Sequence, residues 1–482
     1  MVRFWMFLFA ALITSLTAGD ALENWVARQK QAPALKHAQW SLFAAYVDDG
    51  RVILERNAGE ALAPASGFKL FTSALALSAL GTDFRFTTEL GYRGNIDENG
   101  VLRGELILTG GGDPTLGSTR IDGNPGLDSL MILLSAAVEK AGITSVSGDL
   151  VADLSLFPEQ RTPGGWNWMD LGNYYGAGAG ALNINDNLYR LYFEPGRPGE
   201  KARVAGTDPP VPGLTFINHM KTGARGSGDQ GYIYAAPGQW QATLRGSIPA
   251  GGRFAIKGTL PDPALFALQR VKKALAEKGI PVTGTLRKSH RAVPANTRPV
   301  LRLTSPPLGE IVTVIHRRSF NLYAEAAGKM AARALGFEAG SAGFDKALHQ
   351  FLEERHIDTE ALTAADACGL SATNAITTRM MVELLKSLPA EKWFDLYYNT
   401  LSVAGDSKRG GFFKKWGRGT LLAGNARIKS GLIKGVRSHS GYVTGRSGRL
   451  IAFSFIANHY NGSLRAVDRI HQALLLRLAQ EH

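Results

Sequence analysis

The order of apolar and polar residues predicts strands at both ends of the chain. Residues 40–57 contain two strand-like runs around the turn DDGR, which predicts a β-hairpin. Residues 426–458 contain further strand-like runs, and residues 464–479 have the spacing of an amphipathic helix. We expect the first and last strands to form one antiparallel sheet, with helices from residue 66 onward and from 305 to 390 packed on it.

A different pattern between residues 84 and 295 predicts a long insertion. The order helix, Gly-Ile, Val, Gly, strand occurs twice there, at Gly142 and at Gly279, which indicates that both copies belong to one α+β module. Gly-, Pro- and Asn-rich residues between the copies predict a smaller β-rich insertion. The predicted fold class is therefore α+β. The predicted domains are 22–83 and 296–482 for the core, 84–165 and 230–295 for the inserted α+β domain, and 166–229 for the β-rich insertion.

The first residues have the composition of a secretory signal peptide. Arg3 precedes an apolar stretch, residues 4–16, that is short for a membrane span, and small residues follow it. We expect residues 1–21 to be removed on export to the periplasm; an uncleaved anchor helix is the alternative. The one cysteine, Cys368, lies elsewhere, so a lipid-modified N-terminal cysteine is excluded. With no histidine near it in sequence, Cys368 is interpreted as a small packed residue rather than a catalytic thiol.

Composition is typical of a soluble globular protein with a large core. Of the 482 residues, 45% are hydrophobic and 20% are charged, and the formal net charge is +13. That charge favours contact with polyanions such as nucleic acid, anionic lipid or anionic cell-wall polymer. The basic residues are scattered and no nucleic-acid-binding motif is visible. We expect no nucleic-acid partner, and peripheral association with membrane or cell wall stays open.

Ser66 and Lys69 form the first candidate chemical pair. They lie in LAPASGFKLFTSALAL, an apolar run that predicts a helix ending at Gly81. Positions i and i+3 share a helix face, so the hydroxyl and the amine would be neighbours at the helix N-terminus. Burial would lower the pKa of the lysine, leaving a neutral amine able to take the serine's proton. A chance match is the alternative, because usual residue frequencies give about two such spacings in a chain of this length.

Two further segments could complete such a site. Ser319 and Asn321 stand where a helix begins; an N-cap serine with a surface asparagine is the alternative. Lys429-Ser430-Gly431 lies in a predicted core strand, where a cation beside a hydroxyl could bind a carboxylate and an extended ligand could pair with the strand. Lys429 could also be an ordinary edge-strand lysine. The similar Lys221-Thr222-Gly223 is rejected because it lies in the glycine-rich insertion.

The motifs Ser-x-x-Lys, Ser-x-Asn and Lys-Ser-Gly occur in that order, a combination used by penicillin-binding proteins and class A β-lactamases. The chain resembles the low-molecular-mass class C penicillin-binding proteins, which are D-alanyl-D-alanine carboxypeptidases and endopeptidases. Beyond the three motifs, the resemblance rests on LTGGGDPTL, GDLVAD, YGAGAGALNINDN, SPPLGEIVTVIHRRSFNLYAE and DACGLSATN, and on the long insertion after the first motif. It implies that the core is a β-lactamase/transpeptidase-like catalytic domain with an antiparallel sheet flanked by helices.

The resemblance also implies a role for each candidate. The catalytic residues implied are Ser66, Lys69, Ser319 and Asn321, and the substrate-binding residues implied are Lys429, Ser430, Gly431 and Leu432. Ser66 would attack the carbonyl of the penultimate D-alanine, with Lys69 as general base. Ser319 would relay the proton and Asn321 would position the substrate, while Lys429 and Ser430 would bind the terminal carboxylate. The N–H groups of Ser66 and Leu432 would form the oxyanion hole.

Partners and cofactors follow from the same resemblance. The resemblance implies that water hydrolyses the acyl-enzyme. It also implies that the substrates are peptidoglycan stem peptides. β-Lactam antibiotics would acylate the same serine and act as covalent inhibitors. No metal and no organic cofactor is expected.

Three positions depart from the pattern usual in this class. Ser430 replaces the threonine of Lys-Thr-Gly and keeps its hydroxyl. Ala372 stands where an arginine usually follows the stretch DACGLS, and Arg161 stands where some relatives carry an acid that meets the amine of diaminopimelate. No diaminopimelate preference is therefore assumed.

Two other functions stay open at this point. A non-catalytic peptidoglycan-binding relative is disfavoured by the intact set of motifs. A β-lactamase or a serine esterase on the same core is the other alternative, and the chain lacks the Gly-x-Ser-x-Gly signature of ordinary serine hydrolases.

Overall fold

The computed structural model describes residues 18–292 and 296–482, and side chains from residue 21 onward. Nearly all of the predicted signal peptide lies outside these residues. The described helices are α1 (Ala18–Lys30), α2 (Lys69–Leu80), α3 (Leu127–Lys140), α4 (Trp168–Leu171), α5 (Pro263–Glu277), α6 (Leu308–Arg318), α7 (Asn321–Ala334), α8 (Ser341–Glu353), α9 (Thr378–Ser387), α10 (Phe394–Thr400) and α11 (Leu464–Glu481). None of these helices is both long enough and apolar enough to cross a bilayer.

The strands of the described residues are distributed over most of the chain. They are β1 (Gln39–Tyr46), β2 (Val52–Arg56), β3 (Thr87–Ile96), β4 (Val101–Thr109), β5 (Ser145–Val146), β6 (Leu150–Asp153), β7 (Leu188–Glu194), β8 (Arg203–Asp208), β9 (Thr215–Asn218), β10 (Lys221–Gly223), β11 (Tyr232–Tyr234), β12 (Gln241–Arg245), β13 (Ser247–Pro249), β14 (Phe254–Thr259), β15 (Leu286–Ser289), β16 (Arg298–Thr304), β17 (Ser402–Val403), β18 (Arg427–Ile433), β19 (Val436–Thr444) and β20 (Leu450–Asn458).

Residue contacts divide the chain into two compact units. The first unit contains the described residues up to Phe71 together with His349–Thr363 and Ala372–His482. The second unit contains Thr72–Leu348 and Ala364–Ser371. The boundary falls inside α2, directly after its first turn.

The first unit is built on one six-stranded antiparallel sheet in the order β17-β18-β19-β20-β1-β2. The first hairpin and the C-terminal strands therefore share a sheet, as predicted. Strands β1 and β20 are buried along almost their whole length. Their sequences are therefore mostly apolar and do not alternate between apolar and polar residues. Their side chains join those of α1 and α11 in one apolar core.

The second unit contains the inserted region and the helices α6 and α7. Its main sheet has the order β15-β6-β4-β3-β16, and α3 packs on α5 beside it. Strands β6 and β15 follow the two copies of the sequence repeat and pair in parallel, so both copies contribute a strand to one sheet. Asp262 caps α5 by accepting the N–H of Leu265, which explains why that helix begins at Pro263.

Two features of the second unit differ from the predicted segment bounds. Strand β9 pairs with β12 and β10 pairs with β13, so strand pairing crosses the boundary predicted at residue 229. Strand β16 pairs with β3 of the inserted sheet, although residues from 296 onward were assigned to the core. Both differences arise from pairing between segments distant in sequence, which local patterns do not encode.

Candidate active site

Ser66 lies in a tight turn directly before α2. Residues Ala65–Phe68 form a 3-10 helix, and α2 continues from Lys69. A 3-10 turn places residues i and i+3 on the same side, and Lys69 Nζ donates a hydrogen bond to Ser66 Oγ at 2.9 Å. Ala65 has a left-handed backbone with φ of 47°, a strained conformation for a non-glycine residue that often marks functional sites. The predicted contact between the hydroxyl and the amine is confirmed.

Strands β18 and β19 hold this turn from one side. Ser438 Oγ donates to the carbonyl oxygen of Pro64 at 2.6 Å. A Cβ on Gly67 would lie 2.9 Å from Ser438 Oγ, and a Cβ on Gly431 would lie 2.2 Å from the Pro64 oxygen. Only glycine fits at position 431, because the strand approaches the backbone of the turn there, whereas a side chain at position 67 would have to displace the Ser438 hydroxyl.

Lys429 lies in the same part of the first unit. It is fully buried, and its Nζ donates to the carbonyl oxygen of Ser430 at 2.7 Å. Burial lowers the pKa of Lys429 well below its usual range, and the charges of Lys69 and Arg437 lower it further. The first unit therefore brings together Ser66, Lys69 and Lys429.

The outer edge of β18 is open beyond its first two residues. Strand β17 pairs only with Arg427 and Ile428. Among the described residues, no strand pairs with the remainder of β18 on that side. Leu432 is half exposed at this edge. An extended ligand could therefore add to the sheet alongside the Lys-Ser-Gly motif.

A buried polar layer under this strand was missed by sequence reasoning. Arg437 Nε donates to Asp468 at 2.6 Å, and its Nη1 donates to the Gly431 carbonyl at 3.3 Å. His439 and His471 lie 2.9 Å apart through their Nδ1 atoms, and burial lowers the pKa of both. Arg437 and His439 lie in β19, which is buried along nearly its whole length although it contains polar residues. The sequence therefore shows no alternation of apolar and polar positions that would have indicated this layer.

Ser319 and Asn321 belong to the second unit, at the junction of α6 and α7. Ser319 ends α6 in a left-handed conformation with φ of 54°, and Phe320 occupies the N-cap position of α7. The alternative of an N-cap serine is therefore wrong. Asn321 is buried, and its Nδ2 donates to the carbonyl oxygen of Tyr175 at 2.7 Å. The hydroxyl of Tyr175 in turn donates to Asp170.

The residue between Ser319 and Asn321 has a charged neighbour that sequence reasoning missed. The guanidinium carbon of Arg120 lies 3.8 Å from the centre of the Phe320 ring, and Arg120 Nε donates to Asp186 at 2.7 Å. Tyr323 Oη donates to Asp186 at 3.3 Å. Residues 185–187 all have left-handed backbones, with φ between 52° and 58°. The sequence NINDN carries the only signal for this loop, because Asn and Asp tolerate that conformation better than other residues.

The stretch DACGLS is organised by a buried carboxylate. Asp366 accepts the indole N–H of Trp166 at 2.8 Å and backbone N–H groups of Cys368, Gly369 and Ser371. Glu325 accepts the N–H of Ala367 at 2.9 Å. Glu325, Asp366 and Cys368 lie close enough together to hold a metal ion, but the two carboxylates already accept these loop hydrogen bonds. Cys368 is buried, as predicted for a packed residue.

Arg161 is also packed within the second unit. Its guanidinium donates to the carbonyl oxygen of Pro261 at 2.9 Å, and Lys329 Nζ donates to the Arg161 carbonyl at 3.2 Å. Burial lowers the pKa of Arg161, and the charge of Asp262 partly offsets that effect.

Comparison with known proteins identifies the family. The model of the D-Ala-D-Ala carboxypeptidase 3 (S13) family matches residues 22–480. The chain belongs to this family. A D-alanyl-D-alanine carboxypeptidase of Actinomadura sp. is 31% identical over 93% of this chain and 82% of its own length. The D-alanyl-D-alanine carboxypeptidase DacB of Haemophilus influenzae is 26% identical over 87% of this chain and 85% of its own length.

A solved structure has the same fold. The crystal structure of penicillin binding protein 4 from Haemophilus influenzae superimposes with a TM-score of 0.80 over 94% of this chain and 99% of that chain, at 24% identity. A second structure of that protein, in complex with a novel β-lactam, gives a TM-score of 0.76 at 23% identity. The predicted α+β fold with a transpeptidase-like core and a long insertion is confirmed, and so is the predicted family. The roles assigned to single residues stay predictions.

Proposed function

We propose that this S13-family serine peptidase hydrolyses D-Ala-D-Ala termini and D-Ala cross-links of peptidoglycan through an acyl-enzyme on Ser66. The hydrogen bond of 2.9 Å from Lys69 to Ser66 is the observation that carries this proposal. A serine hydroxyl reacts only when a base removes its proton, and Lys69 Nζ is the amine in contact with Ser66 Oγ. The neutral form of Lys69 that this step needs is part of the proposal.

The reaction would proceed in two steps. The proton of Ser66 Oγ passes to Lys69 Nζ while the oxygen attacks the carbonyl of the penultimate D-alanine. The N–H groups of Ser66 and Leu432 stabilise the oxyanion of the tetrahedral intermediate. The C–N bond then breaks, and the amine of the leaving D-alanine takes the proton through Ser319, with Asn321 positioning the substrate. Water attacks the acyl-enzyme with Lys69 again as base, and Ser66 is regenerated.

Substrate binding would depend on the edge of β18. The substrate backbone pairs with the open edge next to Gly431, and Lys429 and Ser430 bind the terminal carboxylate. β-Lactams carry a carboxylate and a strained amide in a similar arrangement, so they acylate Ser66 and persist. The β-lactam complex of the Haemophilus influenzae protein is consistent with this reaction.

The location of the reaction is also part of the proposal. Residues 1–21 act as a signal peptide, and the mature enzyme works in the periplasm, where its substrate lies. The net charge of +13 supports peripheral contact with anionic cell wall or lipid headgroups. Immunoblotting of cell fractions, with sequencing of the mature N-terminus, tests both points.

Labelling with a fluorescent penicillin tests the chemistry. The wild-type protein should form a covalent adduct at Ser66, and Ser66→Ala should abolish the label while the thermal unfolding midpoint stays close to that of the wild type. Ser73→Ala is a matched control, because Ser73 lies in α2, the helix that follows the turn of Ser66, and its buried hydroxyl has no hydrogen-bond partner among the described residues. A folded wild-type protein without label would instead support the non-catalytic relative. Rapid turnover of penicillin without a lasting adduct would support a β-lactamase.

A further inference from the structure

Aromatic side chains form an exposed row in the second unit. Trp168 on α4 is 62% exposed and Tyr174 is 39% exposed. Tyr232 and Tyr234 alternate with the buried Ile233, so their rings lie on the same face of β11. Ring centres are 4.8 Å apart for Trp168 and Tyr234, and 6.3 Å apart for Tyr234 and Tyr232. Tyr232 and Tyr234 are partly exposed. We call Trp168, Tyr174, Tyr232 and Tyr234 the aromatic row, because exposed aromatic rings grouped in this way often mark a contact surface.

The loop that carries Trp168 and Tyr174 is fixed to the strands behind it. Asn173 Nδ2 donates to the Met169 carbonyl at 2.8 Å, and its Oδ1 accepts the N–H of Ile233 at 3.2 Å. Thr259 binds the carbonyl oxygens of Gly172 and Asn173. A Cβ on Gly172 would lie 2.1 Å from the Ile233 oxygen, so the loop meets β11 at backbone distance. The row is therefore preorganised, which lowers the entropic cost of binding.

A cavity of about 370 Å³ lies beside the row. Tyr174 and Tyr232 form part of its wall, and the other lining residues include Asp229, Gln230 and Lys257. Lys257 Nζ lies 5.5 Å from the centre of the Tyr174 ring. The cavity therefore offers aromatic faces together with a carboxylate, an amide and an ammonium group, in the size range of small-molecule binding sites.

One residue of this cavity wall contacts a candidate active-site residue of the second unit. Tyr175 lines it, and the carbonyl oxygen of the same residue accepts the hydrogen bond of 2.7 Å from Asn321. A polymer that occupies the cavity would thus lie next to the residue proposed to position the scissile peptide.

We propose that the aromatic row and this cavity bind the glycan strand of peptidoglycan, the chain of N-acetylated amino sugars to which the stem peptides are attached. The identity of the polymer rests on the proposed function. A pyranose ring has an apolar C–H face that stacks on aromatic rings, and hydroxyl and acetamido groups at its rim that bond to Asp229, Gln230 and Lys257. A peptide in extended conformation fits less well, because Asn173 already occupies the backbone N–H of Ile233 at the edge of β11.

Binding of peptide-free glycan tests this proposal without catalysis. Glycan strands are stripped of stem peptides with an amidase and titrated into the full-length protein, with tryptophan fluorescence and calorimetry as readouts. We expect saturable binding by the wild type and at least tenfold weaker binding by Trp168→Ala and Tyr234→Ala. Phe412→Ala is the control, because Phe412 is equally exposed but lies in the first unit. Wild-type binding that none of these substitutions changes would overturn the proposal, and so would no binding.

A kinetic comparison separates glycan binding from the chemistry. We expect Trp168→Ala to raise KM about tenfold for stem peptides attached to glycan, relative to KM for the same peptide free in solution. An equal rise for both substrates would show that the row binds peptide, and would overturn the proposal. Loss of penicillin labelling in the wild type would refute the proposed function instead, and the titration with peptide-free glycan would still report on the row.

Discussion

The guanidinium group of Arg120 covers the ring of Phe320, with 3.8 Å between the guanidinium carbon and the ring centre. Phe320 separates the two candidate catalytic residues Ser319 and Asn321, so a contact on its ring sets the position of both. The same guanidinium is paired with Asp186. We infer that Arg120 is a positioning residue, whose effect should appear in the rate of acylation.

Removing this cation and its partner should slow acylation. The double variant Arg120→Met/Asp186→Asn removes both charges, so neither is left buried without its partner. We expect the second-order rate constant of penicillin acylation to fall about tenfold. That factor corresponds to ~1.4 kcal/mol, the size expected for a cation–π contact combined with an ion pair. Stopped-flow fluorescence measures the rate. Arg253→Met is the matched control, because Arg253 covers the Tyr192 ring at 4.0 Å elsewhere in the same unit. Equal rates for the double variant and the wild type would contradict the positioning role.

Gly431→Ala should displace the strand that carries the Lys-Ser-Gly motif. The new methyl group would meet the Pro64 oxygen at 2.2 Å and Ser438 Oγ at 2.4 Å. Backbone cannot yield as a flexible side chain does, so β18 must move away from the turn of Ser66. We expect acylation to fall about 100-fold, as for a misplacement near 1 Å at a reacting centre. Gly59→Ala, where the methyl group meets nothing within 4 Å, should acylate like the wild type.

The charge of Lys429 should limit activity at alkaline pH. Because its pKa lies well below 10.5, raising the pH removes its proton earlier than from an ordinary lysine, and the substrate carboxylate loses its cation. We expect kcat/KM for substrates with a free carboxylate to fall on the alkaline side before pH 10.5. Lys429→Arg keeps the charge and should move that decline to higher pH. Lys434→Arg, at an exposed position after β18, should leave the profile unchanged.

Asp113 should make stability depend on pH in the acidic range. Burial raises its pKa to about 6 from 3.8, although Thr115 donates two hydrogen bonds to it. Between pH 3.8 and 6 the folded state therefore binds more protons at Asp113 than the unfolded state does. The contribution of Asp113 to the free energy of unfolding is fully present below pH 3.8. This contribution, up to about 3 kcal/mol, is lost as the pH rises through 6.

Asp113→Asn isolates this effect. The variant keeps the acceptor for Thr115 and should be more stable than the wild type at pH 7, with the two curves meeting near pH 4. Urea unfolding between pH 4 and pH 8 measures the difference. Asp149→Asn should change the pH dependence of stability in the opposite direction, because hydrogen bonds from Thr285 lower the pKa of Asp149. Parallel curves for Asp113→Asn and the wild type would show that Asp113 does not titrate in this range.

Relationships between residues close in the chain were predictable from the sequence. The contact of Ser66 with Lys69 follows from a spacing of three residues at the start of a helix, and helix geometry allows little else. The first hairpin, the helix α3 and the C-terminal strands follow from periodicity and turn residues, because each element buries one pattern of apolar side chains. The family also follows from the order of three short motifs.

Contacts between distant segments were decided only by the tertiary structure. Asn321 and Tyr175 are 146 residues apart, and Arg120, Asp186 and Phe320 come from three separate segments. Strand β16 joins the inserted sheet because its hydrogen-bonding edge matches β3, and nothing in its own composition selects that partner. The sequence therefore determined which chemical groups the protein carries and the local elements that present them. The packing of those elements decided which groups meet, because burial and backbone pairing act on the folded chain as a whole.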